Sequence, residues 1–224
     1  MRTISAHKSI KSNTLTEIFS VSGWLMFLLA VVAGCLNVYL VQEFVLTDDV
    51  YYNTLGERLA YERIEKMLAE QREWSWLGYA FVPVVVFLQT LVISLCLVTG
   101  VIFSYAKVSF KRIFGMVLKV IALIAVIRLL PSLVLLFQDI QVLDDLLTSD
   151  WYSMLALFGR DNIAMWLHVP LASLNIFHLL LLLGLLAGMK HLSDKPTRRM
   201  ALISYGCGTL LWWVGLMYLQ VSFG

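Results

Sequence analysis

Charge is scarce in this sequence. Of its 224 residues 14% are Asp, Glu, Lys or Arg, and 60% are hydrophobic. A soluble domain has roughly a quarter charged and about half apolar residues. One small core cannot hide this much apolar surface, so lipid must be the solvent; the mean hydropathy of +0.81 agrees. Cysteine is sparse as well. Cys35, Cys96 and Cys207 all fall inside apolar runs. Without a CxxC or Cys/His spacing they suggest neither a disulfide framework nor a metal site. The sequence also lacks a Walker A loop, GxGxxG, HExxH, GxSxG and a paired carboxylate site, so enzymatic chemistry has no signature and no cofactor is expected. A basic face interleaved with aromatics is missing, and nucleic acid is not an expected partner.

What is present is a set of long apolar runs. A bilayer core needs about 20 apolar residues per helix. Five stretches qualify, at residues 20–43, 77–105, 113–138, 164–189 and 200–222. They predict an all-α polytopic membrane domain over 20–222, preceded by a tail over 1–19 and holding an outer insert over 44–76. Lys and Arg divide unevenly between the two sides. Arg2, Lys8, Lys11, Lys107, Lys111, Arg112, Lys190, Lys195, Arg198 and Arg199 share one side with only Glu17 and Asp194. The other side holds Arg58, Arg63, Lys66, Arg72 and Arg160 among most of the acids. Cytoplasmic loops collect Lys and Arg, so the N-terminus is expected inside and the C-terminus outside. Trp74, Trp76, Tyr79 and Trp166 mark outer helix ends, and Trp24 the inner end of the first span, as amphipathic rings favour the headgroup zone. Val32-Ala33-Gly34-Cys35 resembles a lipobox, but the apolar pattern continues past it as LNVYLV. The expectation is an uncut first span, with lipidation of Cys35 as the alternative.

The outer insert, TLGERLAYERIEKMLAEQREW, reads as an amphipathic helix over 54–74. Thr54 and Glu57 have capping-box spacing, Leu55, Leu59, Ile64, Met67 and Leu68 recur near helical period, and Glu62 and Lys66 form an i,i+4 pair. The second outer loop also has helical tendency; its scattered Asp139, Asp144, Asp145 and Asp150 lack calcium-loop spacing.

One charge is misplaced by these rules. Arg128, in VIRLLPSL, lies ten residues inside Gln138, about 15 Å below the boundary at helical rise. A central arginine costs at least about 3 kcal/mol to insert, so it should face protein or water. Pro131 gives no amide to the carbonyl of Ile127, and the third helix should bend there. Asn37, Gln89, Asn175 and His178 fall at comparable depths and with Arg128 form a candidate intramembrane polar cluster. No carboxylate enters this core, which leaves His178 as the only titratable relay. Lys119, about two turns in, can snorkel back to the basic face.

The second half, LVTGVIFSYAKVSFKRIFGMVLKVIALIAVIRLLPSL followed by LASLNIFHLLLLLGLLAGMKHLSDKPTRRMALISYGCGTLLWW, resembles the Yip1-domain family over residues 78–222. The likeness lies in five spans, a basic turn after the second, a late proline in the third (Pro131), and a fourth-span pattern met by Leu174, Asn175, Phe177, Gly184 and Leu185. It implies the same five-span topology. Eukaryotic relatives bind small GTPases through a longer cytoplasmic N-terminal region; this chain has no D-L-Y-G-P-like motif and looks more like the prokaryotic branch. The expected function is a non-enzymatic inner-membrane scaffold or accessory subunit that binds membrane lipids and other membrane proteins. A small transporter or channel around Arg128 is the alternative, and a lipid-modifying enzyme the third.

Overall fold

A computed structural model describes residues 21–57, 59–138, 140–143, 152–159 and 162–223. The expected tail over 1–19, Asp139, Asp144, Asp145, Asp150, Arg58 and Arg160 lie outside these residues. The described chain is helical: α1 is Gly23–Leu40, prolonged by a π-helical turn over Val41–Val45; α2 is Asp48–Leu55; α3 is Tyr61–Phe103; α4 is Phe110–Ile127; α5 is Leu129–Leu135. Beyond residue 152 come α6 (Met154–Phe158), a 3-10 turn at Met165–Leu167, α7 (His168–Ser173), α8 (Ile176–Leu192) and α9 (Lys195–Phe223).

Four helical stretches are long and apolar enough to cross a membrane: Gly23–Val45, Tyr61–Phe103, Phe110–Leu135 and Lys195–Ser222. The expected span over 164–189 is not one helix. It breaks at Leu174 and Asn175, where ψ is 83° and 173° respectively. The cause is local chemistry. Ser173 donates through Oγ to the Pro170 carbonyl, and the Asn175 side chain accepts from the His178 amide. Side chains that bond nearby backbone compete with helix continuation and favour a new N-cap. What remains, α8, has 17 residues, about 25 Å of helix against a core of about 30 Å.

The outer insert also differs from expectation. No helix starts at Thr54. That residue closes α2, donating through Oγ1 to the Val50 carbonyl and accepting from the Leu143 amide. The capping box with Glu57 is therefore not formed, because Thr54 is committed to the end of a preceding helix. The second half of the insert instead runs straight into the expected second span. Pro83 lies inside α3 without ending it. At 43 residues this helix is about 65 Å long, twice the hydrocarbon thickness. Its outer turns are braced by α2: Arg72 pairs with Asp48, Gln71 donates to the Tyr51 hydroxyl at 2.9 Å, and Tyr52 stacks on Tyr61. Val50, Ile64 and Leu68 are buried beneath these contacts.

Helix α4 sits centrally, packing against α1, α3 and α8, while α9 lies along α3. Its buried Ile113, Met116, Val117, Val120 and Ile121 face these neighbours. Between α3 and α9, Gly100 meets the backbone of Met200 and Ala201, and Gly208 meets Cys96. Lipid tails are as apolar as leucine, so such helices associate through close packing of small residues. Buried Thr90 and Ser94 satisfy their hydroxyls on the Val86 and Thr90 carbonyls. Cys35 lies within continuous α1, half-buried against the core.

Candidate functional site at the broken helix

The third transmembrane stretch passes through Arg128, which joins α4 to α5 with φ −64° and ψ −15° and donates its amide to the Ile124 carbonyl at 2.9 Å. Pro131 follows three residues later and leaves the Ile127 carbonyl without its helical donor. The Arg128 carbonyl gains other partners: Asn37 Nδ2 donates to it at 3.4 Å and to Ser132 Oγ at 3.0 Å, and Ser132 Oγ donates to it at 3.5 Å. Ser132 is 5% exposed. Sequence reasoning missed it, because a serine in an apolar run is usually self-satisfied on its own helix; the pairing with Asn37 was not visible.

The guanidinium does something else. It lies over the Phe177 ring, 5.5 Å from the centroid, and Tyr152 meets the same ring edge-on at 5.3 Å. The Arg128 carbonyl carries the hydrogen bonds with Asn37 and Ser132, and the Phe177 ring carries the guanidinium.

The other expected members separate. Asn175 caps α8, accepting from the His178 amide at 3.0 Å and donating through Nδ2 to Ala172 at 3.3 Å. The His178 ring stacks near Tyr205 (6.2 Å) and Trp213 (6.0 Å). Gln89, on α3, takes part in none of these contacts. The structure therefore forms two small groups, Asn37–Ser132–Arg128 and Asn175–His178, joined by Phe177 on α8.

The break has a second partner in the chain. Tyr152–Met154 returns beside it: the Met154 amide donates to the Leu174 carbonyl at 2.9 Å and the Ile176 amide to the Tyr152 carbonyl at 3.2 Å, around a bridge of Ser153 with Asn175. These bonds satisfy backbone groups that a helix break would strand in lipid, where each unpaired group costs several kcal/mol. Beside the bridge is a groove of about 480 Å³ lined by Ser153, Leu157, Asn175, His178, Leu179 and Leu182. Its walls are mostly apolar, with the His178 and Asn175 side chains among them. Among the described residues no three His, Cys, Asp or Glu side chains come together to hold a metal. No known protein family matches this chain, and no curated protein or solved structure does.

Proposed function

We propose that this integral membrane protein is a non-enzymatic scaffold or accessory subunit of the Yip1-domain type. It sits in a bacterial inner membrane, N-terminus inside and C-terminus outside, and binds other membrane proteins or lipids. The observation that carries the reading is α3. A single helix about twice the hydrocarbon thickness, braced by α2, raises a stiff post beyond the hydrocarbon. Glu65, Lys66, Glu70 and Glu73 lie along it outside the apolar span, with Glu65, Glu70 and Glu73 exposed, so it offers a pre-ordered polar face. A rigid face loses little entropy on binding. The five-span topology follows if α7 and α8 together make one discontinuous span.

Reversing Glu65, Glu70 and Glu73 to Lys should leave insertion and melting intact. It should remove whatever protein co-purifies in mild detergent after crosslinking. Unchanged co-purification would return α3 to the role of a plain cap. The break at Asn175 favours a second reading, a small transporter, since discontinuous helices line substrate sites in that class. In a cysteine-free background, Asn175→Cys closed to aqueous thiol reagents from both sides would remove that reading.

A further inference from the structure

At the end of the bundle opposite the broken helix, a cavity of about 380 Å³ lies between α4 and α8. Lys111, Arg112, Lys119 and His191 line it, with Gly115 and Gly188 among its walls. The spacing on α4 is 111, 115, 119, one face of a helix at i, i+4, i+8. The middle position is a glycine, and a Cβ built there would meet nothing within 4 Å. Two cations thus flank a notch. Cα–Cβ bonds tilt toward a helix N-terminus, so the Lys119 stem leads back toward Lys111 and the basic end.

Loop topology alone accounts for basic residues outside the lipid. It does not account for Lys119, which lies inside a transmembrane helix, nor for the notch beside it. Lys111 and Arg112 also stand in the first turn of α4, where there is no acid and the helix dipole disfavours cations. Asp194, in the adjoining turn, is not among the lining residues.

We propose that this cavity is a binding site for a phosphate group, which Lys111, Arg112 and Lys119 hold over the Gly115 notch. Basic pockets between transmembrane helices are suited to anionic headgroups, and a free phosphate offers the same chemistry. The proposal rests on the membrane reading and extends the lipid-binding part of the proposed function. It is independent of the α3 post.

The test titrates delipidated full-length protein in detergent with phosphatidylglycerol, phosphatidylcholine or inorganic phosphate, read by native mass spectrometry. Phosphatidylglycerol should bind more tightly than phosphatidylcholine. Lys119→Gln should weaken it about fivefold, the worth of one cation near a lipid surface. Gly115→Leu should weaken it at least as much while removing no charge. The triple variant K195Q/R198Q/R199Q, whose residues do not line the cavity, should bind within about twofold of wild type. Melting is measured on each variant; if Gly115→Leu does not fold, Lys119→Gln decides. Inorganic phosphate that displaces the lipid, with the same Lys119 dependence, assigns the site to a soluble anion; failure to displace assigns it to the headgroup. Equal binding of both lipids overturns the proposal. So does wild-type affinity in Lys119→Gln, or an equal loss in the triple variant, which would mean diffuse attraction. Charge reversal on α3 should leave this binding unchanged, so the two readings fail separately.

Discussion

Replacing Gly100 by alanine probes the contact between α3 and α9 with a single methyl group. A Cβ at this position would lie 2.4 Å from the Met200 carbonyl oxygen, 2.5 Å from Ala201 Cα and 2.7 Å from Ala201 N. All three are backbone atoms of α9, so no side-chain rotation relieves the clash. Restoring ordinary contact needs the helices to part by about 1 Å, in a region where Leu97, Val101 and Ala201 are essentially buried. Overpacking a well-filled contact costs about 1–3 kcal/mol, against at most about 1 kcal/mol gained from replacing a helical glycine. Gly206, on α9 itself, is the matched control, because its Cβ would meet nothing within 4 Å. Gly206→Ala should therefore be neutral or slightly stabilising. For a chain of this size 1 kcal/mol corresponds to about 2–4 °C; the glycine-replacement gain is common to both variants, so the overpacking term alone should separate them by about 2–12 °C. The assay is thermal unfolding of purified protein in one detergent. Equal melting temperatures would refute the reasoning that backbone proximity at Gly100 holds these helices together.

Asn37→Leu should cost about 1 kcal/mol, and a double-mutant cycle with Ser132→Ala should show coupling; additive effects would mean that their hydrogen bond contributes nothing. Asn175→Ala removes the side-chain cap of α8 and should lower stability by about 1 kcal/mol, with Asn175→Asp retaining most of it; equal melting of wild type and Asn175→Ala would count against the cap. Arg128→Leu should insert normally, because leucine suits lipid better, and should lose about 0.5–2 kcal/mol of contact with Phe177. In the same assay Phe177→Leu should be non-additive with it, and full additivity would dismiss the cation–ring contact. A reporter fused after Gly224 should read outside and one placed in Lys190–Arg199 inside; a cytoplasmic C-terminus would sink the five-span topology.

Composition by itself determined that this chain lives in lipid, because apolar content is summed over residues and needs no partner. The same summation located all four helices long enough to cross. Charge asymmetry put Lys111 and Arg112 at the same end as the turn after α8, and they do line a common cavity with His191. Local spacing was less reliable in the insert. Thr54 and Glu57 have the offsets of a cap, yet Thr54 bonds to Val50 and Leu143, and the second of these contacts spans 89 residues. The break at Asn175 was concealed for a related reason. Hydropathy counts Ser173, Leu174 and Asn175 as three residues of an apolar run. The strand-like return of Tyr152–Met154 that satisfies the broken backbone comes from elsewhere in the chain. The polar cluster divided because depth along a helix says nothing about azimuth: Asn37 and Ser132 face each other, Asn175 turns to its own helix, and Gln89 joins neither. The post formed by α3 was likewise a tertiary outcome, since α2 packs on the helix at Val50, Ile64 and Leu68 and makes an outer insert and a span into one rigid rod.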